Sequence, residues 1–117
     1  MKNIDEWVAE VGRVNTEKGW DFGEGNIPEK IALMHEELSE ALGEFRSHKK
    51  PDEIWFNYER LNNNDKPKPE GIAVEFADCV IRIMHFFHTF GLSLDEVLAL
   101  KMAYNEGRPY RHGDRRA

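Results

Sequence analysis

Between Glu70 and Phe90 the chain carries apolar side chains round most of a helix, and this stretch limits the possible folds more than any other. At roughly 100° per residue, the run of apolar positions from Ile72 and Val74 through Cys79 and Val80 to Phe86, Phe87 and Phe90 spreads over about 240° of the helical wheel. A helix so apolar has to be covered by other elements on several sides. The narrow remaining arc holds Glu75, Asp78, Arg82 and Thr89, flanked by His85 and His88, so the two acids are carried at least partly inside. Buried carboxylates are costly unless they are paired, hydrogen-bonded or bound to a cation. Spacing leaves two solutions open: Arg82 neutralises an acid as a structural ion pair, or further acids converge on these two around a metal ion.

A second stretch, Ile31 to Phe45, supplies such acids. Glu36, Glu37, Glu40 and Glu44 fall within an arc of about 100°, opposite Ile31, Met34, Leu38, Ala41, Leu42 and Phe45. Taken alone, an acidic stripe reads as a solvated helix face. Residues three or four apart on a helix, however, lie about 5 to 6 Å apart at their Cβ atoms, so Glu37 with Glu40, and Glu75 with Asp78, can each present oxygens to one small cation. If the two helices are antiparallel neighbours, four or five carboxylates converge. An all-oxygen, acid-rich set suits Mg²⁺ or Mn²⁺; zinc lacks its thiolates here, and no Glu is followed by His three residues later, as a di-iron bundle requires. Glu44, a turn beyond, stays with the solvated face.

The remainder of the chain reads as further helices and their connections within a single domain, 1–117. Asn3 and Glu6 form a capping-box pattern, so a first helix is expected from Ile4 to about Val14. The loop Gly19 to Gly25 completes an N-terminal unit over 1–25; its Trp20 and Phe22 either anchor the loop or stack on a planar ligand. Asn26 is placed to cap the acidic helix, with Pro28 in its first turn, and basic residues with Pro51 end it near Ser47 to Lys50. Residues 51–69 form an insertion between the two acidic helices. Within it Asp52 to Leu61 is expected as a short helix and Asn62 to Pro69 as a mobile loop, with Trp55, Phe56 and Tyr58 as further stacking candidates. Gly91 ends the apolar helix, and Ser93 with Glu96 opens a last one from Leu94 to about Glu106, stopped by Gly107 and Pro109. A basic tail follows over 108–117. No alternating strand pattern is visible, so the expected fold is all-α, an antiparallel bundle of four or five helices.

A net charge of -6 disfavours non-specific binding to nucleic acid or to anionic membranes. Cys79 is the only cysteine, which excludes an intramolecular disulfide and Cys-rich zinc frameworks and fits a cytoplasmic protein. It lies on the apolar side of its helix and reads as inert core. No apolar run approaches the roughly 20 residues of a membrane span, and the polar N-terminus is unlike a signal peptide. His35, His85 and His88 flank the acids as structural or supporting groups, since a hard-cation site does not need imidazole.

Glu36-Glu37-x-x-Glu40 followed by Glu75-x-x-Asp78 resembles the paired motif of the MazG-like, all-α nucleoside triphosphate pyrophosphohydrolases. Lys101-x-x-x-Asn105-x-x-Arg108 is similar to the spacing with which members of that superfamily hold phosphates. The similarity covers roughly Ile27 to Arg108, with a longer interval between the acidic motifs than compact members have. The resemblance implies cleavage of a nucleoside triphosphate between its α and β phosphates, giving the monophosphate and pyrophosphate. It further implies Mg²⁺, replaceable by Mn²⁺, on Glu37, Glu40, Glu75 and Asp78, with Glu36 positioning or deprotonating the attacking water. Lys101, Asn105 and Arg108 would bind the phosphates; Trp20, Phe22 and Trp55 are the candidates for stacking on the base. A homodimer or homotetramer is implied as well. Two other readings stay open: a non-catalytic helical interaction or regulatory module, and a related phosphohydrolase acting on a phosphoribosyl-nucleotide.

Overall fold

Asn3 starts the first helix with both halves of its capping box in place: its side chain accepts from Glu6 N at 2.8 Å, and its own N–H donates to Glu6 Oε1 at 3.2 Å. In the computed structural model, which describes residues 1–110, this helix is α1 (Ile4–Glu17), and it is followed by α2 (Ile27–Arg46), β1 (Trp55–Leu61), β2 (Pro67–Glu70), α3 (Ile72–Thr89) and α4 (Leu94–Glu106). Most of the expected basic tail, residues 111–117, lies outside the described residues. The protein is thus mostly helical, with one small antiparallel sheet.

The insertion corrects two local expectations, while the helical class holds in the main, with one small sheet added to it among the described residues. The stretch expected as a short helix is the strand β1, and the expected mobile loop contains β2. Their register pairs Trp55 with Glu70, Phe56 with Pro69 and Asn57 with Lys68, then shifts before Leu61 meets Pro67. Aromatic residues favour an extended strand, and Pro67 and Pro69 are tolerated because a two-stranded ribbon consists only of edges. The tip is organised by Asn62, whose Oδ1 accepts from Asn64 N at 2.9 Å and Lys66 N at 3.0 Å, while Asp65 takes the left-handed conformation at φ 59°. At the base, Gly71 stands at φ 142°, and a Cβ there would meet the carbonyl oxygen of Glu53. The apolar helix therefore begins at Ile72 and not at Glu70.

Asn26 does not cap α2 with its side chain either. Its Oδ1 accepts from Gly23 N at 2.8 Å and its Nδ2 donates to the Asp21 carbonyl at 3.1 Å, so it closes the preceding loop, and a short 3-10 turn (Glu24–Asn26) leads into the helix. That closure seats Phe22 in the interior, edge-on to His85, Phe86 and Phe90.

α3 is the central element. Its most extensive contacts are with α2, next with α1, and β2 also packs on it, whereas α4 packs on α1. Val8 and Val11 of α1, Ala41 of α2 and Ile72 and Cys79 of α3 form the buried core with Phe22. α1 approaches α3 closely at Gly12, where any Cβ would collide with the His88 ring. α4 is tied at its start: Ser93 Oγ donates to Asp5 Oδ2 at 2.7 Å and accepts from Glu96 N at 3.1 Å.

The core is thin. The radius of gyration, 16.9 Å, exceeds the about 13 Å of a compact chain of this length. No residue of α4 is buried, and Leu98, Leu100, Met102 and Tyr104 along it are exposed, as are Leu38, Leu42 and Phe45 on α2. No helix among the described residues is long and apolar enough to cross a membrane.

Candidate functional site

The acids of α2 meet those of α3. Glu37 lies against Arg82, and Glu40, one turn further along α2, lies against Glu75, so the two helices run antiparallel. Carboxylate oxygens of Glu37, Glu40 and Glu75 all lie within 4.8 Å of one another. Glu37 and Glu75 are buried and Glu40 is exposed, so the group has a closed floor and an open side.

Glu75 is the most perturbed of the three. Burial comes first among the causes; contact with the Glu40 and Glu37 carboxylates and the charges of Glu40 and Asp78 add to it, and together they push its pKa up to about 8. Its Oε2 is buried without a hydrogen-bond donor. As an anion it would face two other carboxylates with nothing to offset the charge; protonated, it can donate to one of them. A divalent cation would satisfy the same oxygens, and this orphaned, deeply buried atom is the observation that fits the group to a hard metal ion.

Asp78 stands beside the group, half-buried. Its pKa is raised, chiefly by burial and then by the charge of Glu37, against which the ammonium of Lys68 and the guanidinium of Arg82 pull it down. Arg82 directs both Nε and Nη2 to Glu37 Oε1 at 3.1 Å, and this is the ion pair that its spacing on α3 allows. Lys68 comes from β2 and also lies 3.8 Å from Glu70 Oε1, a loose pairing. The insertion thus reaches the acids.

A cavity of about 510 Å³ opens beside the carboxylates and shares Glu37, Asp78 and Arg82 with them. Trp20, Phe22, Leu33 and Ile81 give it apolar wall, and Asn15, Glu29, Lys30 and His85 line it with polar groups. Burial, followed by the charges of Lys30 and His88, lowers the pKa of His85, so this ring is a neutral wall group at neutral pH. The cavity's size is that of a site for one small organic ligand, and its wall mixes aromatic with charged side chains.

The other expected residues are placed as follows. Glu36 is exposed on α2, outside the three-carboxylate group. Trp20 lines the cavity with 65% of its surface free, whereas Phe22 lines it from the core. Trp55 lies on the hairpin, donates from Nε1 to Glu70 Oε2 at 3.1 Å and is covered by Lys49; the exposed Phe56 and Tyr58 are on the hairpin too. Lys101 and Arg108 both lie over the Tyr104 ring on α4, and neither they nor Asn105 belong to the cavity wall. The Asn105 Oδ1 is buried without a partner. His35 and His88 are exposed, and Cys79 is buried and free. Glu44, assigned to the solvated face, is half-buried.

Lys30 and Lys68 were not among the expected site residues. Lys30 sits three residues into a helix whose acids draw attention away from it, near both Trp20 and Phe22. Lys68 carries no local signal, because only the fold of the hairpin brings it to α3.

The fold and site together define a mostly helical protein in which an acid cluster adjoins a ligand-sized cavity. Comparison of the chain with models of protein families, with curated proteins and with solved structures finds no match.

Proposed function

We propose that this protein is a MazG-like, Mg²⁺-dependent nucleotide pyrophosphohydrolase that cleaves a nucleoside triphosphate between its α and β phosphates. The observation that carries the reading is a cavity of about 510 Å³, lined by Trp20 and Phe22, that shares Glu37 with three converging carboxylates. Aromatic side chains and an acid cluster in one site suit a ligand that has both a planar base and a polyanionic tail. Bare phosphates would be repelled by this cluster, so the reading requires a cation between them. Mg²⁺ on Glu37, Glu40, Glu75 and Asp78 would offset the phosphate charge and lower the pKa of the attacking water.

The chain's own groups then divide the work. Trp20, exposed on the cavity wall, stacks on the base, and the buried Phe22 fixes the wall beside it. Glu36, exposed next to Glu37, orients the water and accepts its proton. Lys101, Asn105 and Arg108 bind the phosphate tail in an assembly in which α4 of one copy lies over the cavity of another. The exposed apolar residues of α2 and α4 and the thin core support such an assembly, an antiparallel bundle completed by dimer or tetramer formation. A cytoplasmic setting keeps the single thiol reduced.

The Arg82–Glu37 pair favours one competing reading, a non-catalytic helical module whose acids are structural. Two measurements separate them. Pyrophosphate release is screened over canonical, deoxy and modified triphosphates with Mg²⁺, and thermal melting is followed with and without millimolar Mg²⁺ or Mn²⁺. The enzyme releases pyrophosphate from at least one nucleotide and melts higher with the metal; neither effect is expected of the module.

A further inference from the structure

Arg82 occupies the boundary between the two halves of the site. It lines the cavity, and it also places Nε and Nη2 on one oxygen of Glu37, a member of the three-carboxylate group. Glu37 is nearly enclosed, whereas the Arg82 side chain keeps 34% of its surface free, so of the two partners the guanidinium is the one with room to move. A divalent cation and a guanidinium within a few ångströms of one carboxylate repel each other, and the nearby Asp78 adds attraction for whichever remains.

We propose that Arg82 is an exchangeable partner: a divalent cation arriving at Glu37 displaces the guanidinium into the cavity, where it binds a phosphate oxygen of the ligand. This rests on the metal reading above and extends it to a residue outside the acidic and phosphate-binding motifs. The fork of guanidinium donors matches phosphate oxygens in geometry and charge, and Arg82, one turn past Asp78 on α3, lines the cavity together with Glu37 and Asp78. While paired with Glu37, the guanidinium is withheld from that phosphate, and Glu37 is partly neutralised toward the cation. Each ligand therefore helps the other, and Arg82 is the physical link between them.

The test measures this coupling directly. Mn²⁺ is titrated by calorimetry into wild type, Arg82→Gln and Arg82→Lys, each with and without saturating nucleoside monophosphate from a set of dAMP, dCMP, dGMP and dTMP. In wild type, the best-binding monophosphate should tighten Mn²⁺ binding by about 5-fold or more. Arg82→Gln should bind Mn²⁺ alone several-fold more tightly than wild type, bind the monophosphate about 10-fold more weakly, and lose the coupling; Arg82→Lys should retain part of it. In wild type itself, the Arg82 Nε–H resonance should shift when Mg²⁺ is added, a readout that survives even if the variants fold poorly. Mn²⁺ binding with equal coupling in wild type and Arg82→Gln, or an unmoved Nε–H resonance in metal-bound wild type, overturns the exchange and leaves the metal reading standing. No Mn²⁺ binding by wild type overturns both.

Discussion

α3 and α4 are adjacent in sequence, α3 entered through Gly71 without a side-chain cap and α4 capped by Ser93, and their surroundings differ in kind. α3 is covered by α1, α2 and β2, and its acids face Glu37 and Glu40 within the same chain, with Arg82 paired to Glu37 and Lys68 drawing Asp78 the other way. α4 buries no residue, packs on α1, and leaves Lys101 and Arg108 gathered round its own Tyr104. Hydrophobic cover is what turns a charged group from a solvated ornament into a perturbed one. Glu75 has that cover and is perturbed; Lys101 on α4 has none. The acid cluster is therefore assembled within one chain, while phosphate binding by α4 in our reading needs a neighbour.

The sharpest way to break this contrast is to remove oxygens from the α2–α3 side. Glu40→Gln and Asp78→Asn should each cut metal-dependent turnover by about 100-fold or more and abolish the rise in melting temperature with Mg²⁺. Glu40 is exposed and Asp78 half-buried, so helical circular dichroism should be unchanged. Near-normal activity in either variant would place the chemistry elsewhere.

A pH series comes next in size. Glu75 keeps its proton in the folded chain up to about 8, whereas an unfolded glutamate loses it near 4.3. Between those values the folded state binds more protons, so the metal-free protein loses stability as pH rises through the window and levels off above it. The loss is on the order of a few kcal/mol, and Asp78, also raised, contributes with the same sign. Melting temperature in EDTA should fall from pH 5.5 to 8.5, and the gain on adding Mg²⁺ should grow over the same range as the cation displaces the proton. Glu75→Gln should flatten both trends. A metal-free melting temperature that instead rises with pH would mean that Glu75 is ionised in the fold, and the contrast with α4 would lose its basis.

The helices carry their own punctuation: the Asn3–Glu6 box starts α1, and Ser93 and Gly107 bracket α4 at Leu94–Glu106 as expected. Helical spacing puts Glu37 with Glu40 on one face and Glu75 with Asp78 on another, but the antiparallel pairing that brings the faces together is a condition spacing does not supply, and three carboxylates gather rather than four or five, with Asp78 beside them. The hairpin could not be read from the sequence. It is only part-buried where it meets α3 and buries no residue fully, so no apolar face imposes alternation along it, and the prolines of β2 argue against a strand unless it is known to be an edge. Lys68 and the cavity were hidden with it, since they arise from the docking of distant segments. Asn26 misled for a local reason: its side chain had two possible employers, the helix behind it and the loop before it, and the loop's donor at Gly23 was the one within reach.

The smallest expected effect tests the α4 side. Ser93 is both the cap of α4, through Glu96 N, and its tie to α1, through Asp5. Ser93→Ala removes both bonds and should cost about 1 kcal/mol in denaturant unfolding, the usual cost of losing an N-cap. Because α4 contributes nothing to the three-carboxylate group, the Mg²⁺-induced rise in melting temperature should be the same in Ser93→Ala as in wild type. Pyrophosphate release should fall all the same, through a higher KM, if α4 carries the phosphate-binding residues and its orientation is loosened at the root. A reduced metal response would show that α3 and α4 are energetically coupled and that the two halves of the site cannot be separated as the fold suggests. An unchanged metal response with unchanged KM would instead remove Lys101, Asn105 and Arg108 from the site and leave phosphate binding to Lys30, Lys68 and Arg82.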